Sequence, residues 1–227
     1  MRAALQFLTI LPVSAPAAPP GRAAWAFPAV GALVGVAAAL MLQLPLGALL
    51  ALLLTAVVTG GLHEDGLADV CDALRAHRTR ERMHEILKDS RIGAHGAIGI
   101  LFSVLIRWQA LAHLQGNAWL RVPAVFGLSR ASMVLLAAFS QPAGDGFGSA
   151  FVRTLPRAGV WFAGVQAILL AGIAGWPSAA FLVAANAAAI ALARAWFHRR
   201  LGGVTGDCLG FQCQLSEALS LVVLACG

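Results

Sequence analysis

Acidic side chains are concentrated in one short segment of this chain. Seven of its ten acids fall within 26 positions, at Glu64, Asp65, Asp69, Asp72, Glu81, Glu85 and Asp89. Asp65, Asp69 and Asp72 follow the spacing i, i+4 and i+7, which predicts a helix with three carboxylates on one face. Carboxylates placed in this way repel each other, and a divalent cation among them would remove the repulsion. All-oxygen ligands favour Mg²⁺, which commonly bridges carboxylates to substrate phosphates, so the spacing predicts a magnesium site for a phosphate ester.

The other acids of the segment have a simpler explanation. Glu81 and Glu85 alternate with bases, a pattern typical of a solvated helix whose charges pair with one another. The three aspartates would need partners among the arginines at 75–82, and the sequence puts none of these arginines on their face. We therefore assign the metal-binding role to the aspartates and a solvating role to the two glutamates.

Two further segments combine charge with glycine. Residues 88–96 read Lys-Asp-Ser-Arg-Ile-Gly-Ala-His-Gly, and residues 201–210 read Leu-Gly-Gly-Val-Thr-Gly-Asp-Cys-Leu-Gly. Arg offers a planar fork to phosphate oxygens, Lys a point charge, and Gly a close backbone approach, so the first segment could complete a phosphate clamp. Two alternatives stay open: residues 88–96 as an ordinary helix end, and Asp207 as the cap of the last helix.

The composition indicates that most of the surface faces lipid. The chain of 227 residues is 59% hydrophobic and 11% charged, with a mean hydropathy of +0.80, whereas soluble proteins average about 25% charged residues. Uncharged runs over 23–62 and 158–193 are long enough for two helical hairpins, and residues 97–114, 121–139 and 209–226 add three single spans. The sequence therefore predicts an all-α polytopic bundle of about seven transmembrane helices, forming one integral-membrane domain over residues 1–227.

The basic residues indicate how this bundle is oriented. Seven crossings place Arg22, the segment 63–95, Arg153 and Arg157 on one side, whereas Arg121 falls on the other. By the positive-inside rule the first side is cytoplasmic, so the active site is predicted on the cytoplasmic face of the membrane. The pI near 10.4 reflects this orientation rather than nucleic-acid binding, because the bases are scattered between apolar segments.

The N-terminus admits two interpretations. Arg2, the apolar residues 3–13 and the small residues 14–18 imitate a secretory signal peptide. The alternative is a short first helix ended by Pro12 and followed by a Pro-rich linker. The four cysteines show no paired pattern, which suits a reducing side of the membrane.

The three polar segments together resemble the cobalamin synthase family. The resemblance rests on residues 60–72, Gly-Gly-Leu-His-Glu-Asp-Gly-Leu-Ala-Asp-Val-Cys-Asp, on residues 88–96 and on residues 201–210. The opening residues 5–13 and the Ser129-Arg130 pair extend it over nearly the whole chain, and it disfavours a cleaved signal peptide. This sequence departs from the family with Val204 where Gln is usual, Ala73 where Gly is common and Ile10 where Arg is frequent.

The resemblance implies a multi-pass, Mg²⁺-dependent enzyme of the cytoplasmic membrane. Its substrates would be adenosylcobinamide-GDP and α-ribazole or α-ribazole 5′-phosphate, joined with release of GMP. The other partner is membrane lipid, nucleic acid is not expected, and a homo-oligomer is left open.

Roles for individual residues follow from the acidic spacing and this resemblance together. We predict Asp65, Asp69, Asp72 and Asp89 as Mg²⁺ ligands. A ribose hydroxyl must also lose a proton, for which His63, Asp65 and Asp69 are the candidate catalytic residues. The predicted substrate-binding residues are Lys88, Ser90, Arg91, His95, Arg130, Thr205 and Asp207.

Two other functions and one other metal site are compatible with parts of the sequence. Asp69-Val70-Cys71-Asp72 imitates the start of the motif of CDP-alcohol phosphotransferases but lacks its Gly-x-x-Ala-Arg continuation. Arg107, Arg130 and Glu217 lie within or near predicted spans, as in some transporters, although no internal repeat is present. A zinc site formed by His63, Cys71 and His77 has no recognised ligand spacing.

Overall fold

Helices account for most of the described chain, as its apolar periodicity predicts. The structure is a computed structural model that describes residues 1–74 and 79–226. This part contains a 3-10 helix, Pro20–Ala26, and eleven α-helices. They are α1 (Arg2–Leu8), α2 (Phe27–Met41), α3 (Gly47–Thr59), α4 (Leu62–Ala73), α5 (Arg80–Ile86), α6 (Ala94–Ala112), α7 (Ala118–Ala138), α8 (Phe147–Arg153), α9 (Arg157–Ala174), α10 (Trp176–Leu201) and α11 (Gly206–Cys226).

Six of the described helical segments are long and apolar enough to cross a membrane. They are the 3-10 helix with α2, and α6, α7, α9, α10 and α11. Helices α3 and α4 meet the same criterion only as a pair, and they are bent by 91° at the break between them. The prediction of an all-α bundle with about seven spans is therefore confirmed.

The bend between α3 and α4 is set by two consecutive glycines. Gly60 and Gly61 both take left-handed backbone angles, with φ of 63° and 69°, which cost glycine little and other residues more. The amides of Gly60 and Gly61 bond to Val57 O and Ala56 O, so α3 is properly terminated before α4 begins. The sequence predicts a helical hairpin over residues 23–62, and the glycine pair near its end turns α4 into a new direction.

Helix α7 lies at the centre of the bundle, with most of its residues buried. It is crossed closely by α2, because a Cβ on Gly31 would overlap Phe126 O and one on Gly35 would lie 2.6 Å from Pro123 Cα. In contrast, α9 and α10 expose large apolar side chains such as Trp161, Ile168 and Leu192. This distribution is typical of helices whose outer faces contact lipid.

Two ends of the bundle can be distinguished by their contacts. At one end the amide of Ile10 bonds to Val58 O, which places the segment after α1 beside the end of α3. At the other end Arg121 donates to Ala174 O and Leu224 O near the ends of α9 and α11. The acidic segment and the first turns of α6 and α11 lie at the end marked by Ile10.

Candidate active site

The first part of the acidic segment lies on α4, and Asp65, Asp69 and Asp72 lie along this helix as predicted. The charges of Asp65, Asp72, Asp89 and Asp207 all act on Asp69, so these acids share one electrostatic neighbourhood. Within the described residues, the side chains of Asp65 and Asp69 have no hydrogen-bond or ion-pair partner, and the Asp72 carboxylate accepts from backbone amides rather than from a Lys or Arg. The predicted repulsion between Asp65 and Asp69 is therefore not offset by an ion pair within the described part of the protein.

A glycine brings α4 against the start of α11. A Cβ on Gly66 would lie 2.9 Å from Asp207 O, and one on Gly210 would lie 3.5 Å from His63 Cα. Because these glycines lack side chains, Asp65 of α4 and Asp207 of α11 border the same cavity. The first and third polar segments of the sequence are thus joined by direct helix packing.

The second polar segment is attached to α4 by Asp72. Its carboxylate accepts hydrogen bonds from Gly93 N at 2.7 Å and Gly96 N at 2.9 Å, and so caps the N-terminus of α6. Both carboxylate oxygens retain lone pairs. The Mg²⁺ role of Asp72 therefore stays a prediction, beside a structural role that the sequence does not reveal.

We expect Gly96→Ala to destabilise the protein by about 1–3 kcal/mol, as overpacking usually does. The added Cβ would overlap the Asp72 carboxylate and lie 2.9 Å from Ala68 O, forcing α6 away from α4. The thermal midpoint of the purified protein measures this effect. Gly164→Ala is the control, because its Cβ would meet nothing within 4 Å; an equal midpoint for both variants would contradict the prediction.

Two cavities meet at Asp65. The inner cavity, of about 540 Å³, is bordered by His63, Asp65, Lys88, Thr205 and Asp207, with Phe7 and residues 143–149 forming its other walls. The outer groove, of about 620 Å³, is bordered by Asp65, Asp69, Ser90 and the Gly60-Gly61 break, with Ile10 at its edge. Asp65 is the acid that borders both spaces, so a group bound in either one can reach it.

The residues of the second segment divide between these spaces. Lys88 borders the inner cavity and Ser90 the outer groove. Arg91 is exposed and pairs with Asp89 at 2.8 Å, and its hydrogen bonds lower the pKa of Asp89 to about 2. His95 is exposed at the start of α6. The structure thus brings Lys88 and Ser90 to the cavities, and it engages Asp89 with Arg91.

The third segment places Thr205 and Asp207 beside the inner cavity. The Thr205 hydroxyl donates to Asp207 Oδ2 at 3.1 Å and accepts from Cys208 N at 3.4 Å. Thr205, rather than Asp207, is therefore the residue that caps α11. This corrects the alternative interpretation of Asp207 as a helix cap and leaves its carboxylate free to face the cavity.

Arg130 does not reach either cavity. It is buried in α7, where its guanidinium donates to Ser129 Oγ at 2.9 Å and to Glu217 Oε2 at 2.7 Å. Arg107 donates to the other oxygen of Glu217 at 2.8 Å. These three charges, which suggested a transport path, thus satisfy one another inside the bundle, and the substrate-binding role of Arg130 gains no support from its position.

Sequence reasoning missed the segment that leads into the first turn of α8, which forms one wall of the inner cavity. This segment, residues 143–149, contributes Phe147 and Ser149, and its alternating glycines at 144, 146 and 148 are the signal that could have identified it. A Cβ on Gly148 would overlap the backbone of Gly206, so the glycine allows α8 to contact the start of α11. The wall is therefore fixed to the same helix that carries Asp207.

The donor atoms of the site fit Mg²⁺ better than zinc. Across residues 1–74 and 79–226, no three His, Cys, Asp or Glu side chains are arranged to hold a metal on their own, and His77 of the zinc alternative lies outside the described residues. Mg²⁺ usually takes one or two carboxylates and completes its shell with water and substrate phosphates. Asp65 and Asp69, which lack protein partners among the described residues, fit that requirement.

The fold and site define a class: a multi-pass membrane protein with acids placed between two cavities. Residues 1–225 match the sequence model of the family described as cobalamin-5-phosphate synthase. The chain is similar to proteins named adenosylcobinamide-GDP ribazoletransferase from three organisms. It is 38% identical to that of Geotalea daltonii, over 97% of this chain and 94% of the relative, and 40% identical to that of Bradyrhizobium diazoefficiens, over 99% and 92%. It is 35% identical to that of Escherichia coli O139:H28, over 87% of this chain and 85% of the relative. No solved structure matches the chain. The chain belongs to the cobalamin-5-phosphate synthase family.

Proposed function

We propose that this protein is a membrane-bound adenosylcobinamide-GDP ribazoletransferase. It joins the cobinamide phosphate of adenosylcobinamide-GDP to a ribose hydroxyl of α-ribazole or α-ribazole 5′-phosphate and releases GMP. The observation that carries the proposal is the position of Asp65, which borders both the inner cavity and the outer groove. Two substrates bound in these spaces would meet at this carboxylate.

The reaction exchanges one phosphorus–oxygen bond for another. The acceptor hydroxyl forms a bond to the phosphorus that carries cobinamide, and the bond from that phosphorus to the GMP oxygen breaks. Attacking and leaving oxygens lie roughly in line in such transfers, so acceptor and GMP occupy opposite sides of the phosphorus. The arrangement of two spaces on either side of Asp65 supports this geometry.

The residues of the site have distinct roles in this proposal. Asp65 and Asp69 would hold Mg²⁺. The bound ion would neutralise negative charge on the diphosphate of the donor. Lys88 contributes a positive charge to phosphate oxygens at the edge of the inner cavity. Asp65, which borders both spaces, also accepts the proton of the ribose hydroxyl. His63 borders the same cavity and is the alternative proton acceptor.

The proposal places the active site on the cytoplasmic face of the cytoplasmic membrane. The exposed bases Arg80, Arg82, Lys88 and Arg91 lie around the acidic segment. At the opposite end Arg121 is engaged by helix carbonyls. The excess of bases at the end with the active site supports this orientation by the positive-inside rule.

The direct test uses the full chain in nanodiscs, with adenosylcobinamide-GDP and α-ribazole as substrates. We expect equal amounts of GMP and the joined corrinoid, and no product after chelation of Mg²⁺ until the ion is restored. Product formation from CDP-activated alcohols instead would favour the CDP-alcohol phosphotransferase alternative. Absence of both products from folded protein would refute the proposed function.

Asp69→Asn is expected to raise the Mg²⁺ concentration needed for half the maximal rate. The expected change is at least about 10-fold, the loss typical of residues that only support a metal ligand. Titrating Mg²⁺ at saturating substrates measures it, with Glu85→Gln, an exposed acid on α5, as control. GMP release with unchanged Mg²⁺ dependence in the Asn variant would refute the metal-binding role of Asp69.

A further inference from the structure

Four phenylalanines form a continuous stack that ends at the inner cavity. Phe7 of α1 stacks on Phe147 of α8 with ring centroids 4.8 Å apart and on Phe27 of α2 at 5.4 Å, and Phe27 stacks on Phe151 at 5.2 Å. Phe27 and Phe151 are fully buried, whereas Phe147 is 56% exposed. Phe147 borders both the inner cavity and a neighbouring groove of about 800 Å³, so part of its free ring surface can contact a ligand in the cavity while the other rings hold it in place.

The inner cavity also contains a buried polar group without a protein partner. His63 is 0% exposed and borders the cavity, and neither ring nitrogen has a hydrogen-bond partner among the described residues. Buried polar groups are nearly always hydrogen-bonded, so an unpaired imidazole in a cavity wall indicates a bound polar molecule. The cavity thus offers apolar and aromatic walls, one buried imidazole, and Asp65 and Asp207 at one side.

From this arrangement we infer that the inner cavity binds the acceptor nucleoside, with Phe147 contacting the face of its aromatic base. The inference rests on the proposed function and assigns the acceptor to one of the two spaces. The base lies against Phe147 and the apolar wall that includes Leu62 and Met133. The ribose lies toward Asp65, where its hydroxyl meets the donor phosphate. Phe147 is a specificity-determining residue in this arrangement and takes no part in the chemical step.

Size separates the acceptor from the donor. A cavity of about 540 Å³ lies within the range of about 300–1,000 Å³ that encloses drug-sized molecules, and a nucleoside such as α-ribazole is of that size. Adenosylcobinamide-GDP carries a corrin ring, an adenosyl group and a nucleoside diphosphate, and it is too large to be enclosed there. The corrinoid must therefore lie in the outer groove and beyond it.

Polarity separates the benzimidazole base of ribazole from the guanine of the donor. Both are planar and bicyclic, but guanine has several donors and acceptors along its edge. The benzimidazole base has two methyl groups and a single free ring nitrogen. On the apolar part of the wall, formed by Phe7, Phe147, Leu62 and Met133, guanine would leave its polar edge unpaired, which is costly. This apolar part of the wall, with the unpartnered imidazole of His63, fits the base of ribazole, whereas Asp65, Lys88, Thr205 and Asp207 border the rest of the cavity.

The test compares Phe147→Leu with Phe147→Trp in the full chain in nanodiscs. The Leu side chain keeps an apolar surface but lacks a ring, so we expect the KM for α-ribazole to rise about 2- to 12-fold, as stacking worth about 0.5–1.5 kcal/mol implies. The KM for adenosylcobinamide-GDP and kcat should stay unchanged. The Trp variant should restore the KM for α-ribazole, because it restores an aromatic face.

Phe162→Ala is the matched control, since Phe162 is an exposed aromatic residue on α9 that borders neither the inner cavity nor the outer groove. An unchanged KM for α-ribazole in Phe147→Leu would overturn the inference. A rise confined to the KM for adenosylcobinamide-GDP would also overturn it. Weaker inhibition by added GMP, with the KM for α-ribazole unchanged, would likewise overturn it, because either result would place guanine in the inner cavity.

Failure of the inference and failure of the proposed function give different results. If the wild-type chain forms product while Phe147→Leu behaves like Phe162→Ala, the function stands and the cavity assignment falls. If the wild-type chain forms no product, equilibrium dialysis with α-ribazole alone still tests the cavity. Weaker binding to Phe147→Leu than to wild type would then support the assignment, and equal binding would refute it.

Discussion

Asp65→Asn is expected to lower kcat about 10²- to 10⁴-fold, the range for removing a residue that transfers a proton in the transition state. Asp65 borders both the inner cavity and the outer groove, so the variant removes the carboxylate at which the proposed acceptor and donor sites meet. The amide keeps the shape of the side chain but neither carries the charge for Mg²⁺ nor accepts the proton. We therefore expect kcat to fall much more than the KM of either substrate rises.

Rates of GMP release at saturating substrates and Mg²⁺ measure this effect, with the thermal midpoint confirming that the variant is folded. Glu81→Gln provides the control, because Glu81 is an exposed acid on α5, away from both cavities. A folded Asn variant with the kcat of that control would remove Asp65 from the chemistry. In that outcome His63 would become the remaining candidate base beside the inner cavity.

The sequence predicts the acidic helix and the membrane spans because both depend on local periodicity. Asp65, Asp69 and Asp72 repeat with the helical period, and α4 indeed carries all three. The long apolar runs likewise require helices, since a membrane-spanning backbone must satisfy its own hydrogen bonds. The direction of α4 was not predictable in the same way. It depends on two left-handed glycines that look, in sequence, like part of the preceding span.

The limits of sequence reasoning are clearest where distant segments meet. Asp72 belongs to the same helical repeat of aspartates as Asp65, yet its carboxylate caps α6. It accepts from the amides of Gly93 and Gly96, which lie 21 and 24 residues further along the chain. Phe147 is an ordinary apolar residue in the sequence, and only its stacking on Phe7 places it in the cavity wall. Such roles are set by tertiary contacts, which no periodicity along one segment encodes.

Arg107, Arg130 and Glu217 illustrate the same point for charges within the spans. Their sequence positions suggest intramembrane function, whereas the structure pairs both arginines with one carboxylate. Arg107 also lies 3.5 Å from Glu64 of α4, and Glu64 accepts a hydrogen bond from Gln214 of α11 at 3.0 Å. The network therefore links α4 to α6, α7 and α11 immediately beside the residues of the active site.

Glu217→Ala is expected to destabilise the protein by about 3–5 kcal/mol, because it leaves two buried guanidinium groups without their shared carboxylate. For a chain of this length the thermal midpoint should fall by about 6–20 °C. The triple variant with Arg107→Met and Arg130→Met removes both buried guanidinium charges while keeping much of the volume. It should therefore recover a large part of the lost stability.

Glu85→Ala is the matched control, since its ion pair with Arg82 is exposed, with side chains 62% and 65% accessible, and such pairs contribute only about 0–1 kcal/mol. Scanning fluorimetry of the four proteins in one detergent gives the comparison. Equal midpoints for Glu217→Ala and Glu85→Ala would show that water or lipid headgroups compensate the arginines. A triple variant no more stable than Glu217→Ala would instead assign the loss to packing around residue 217, because removing both buried charges would then have gained nothing.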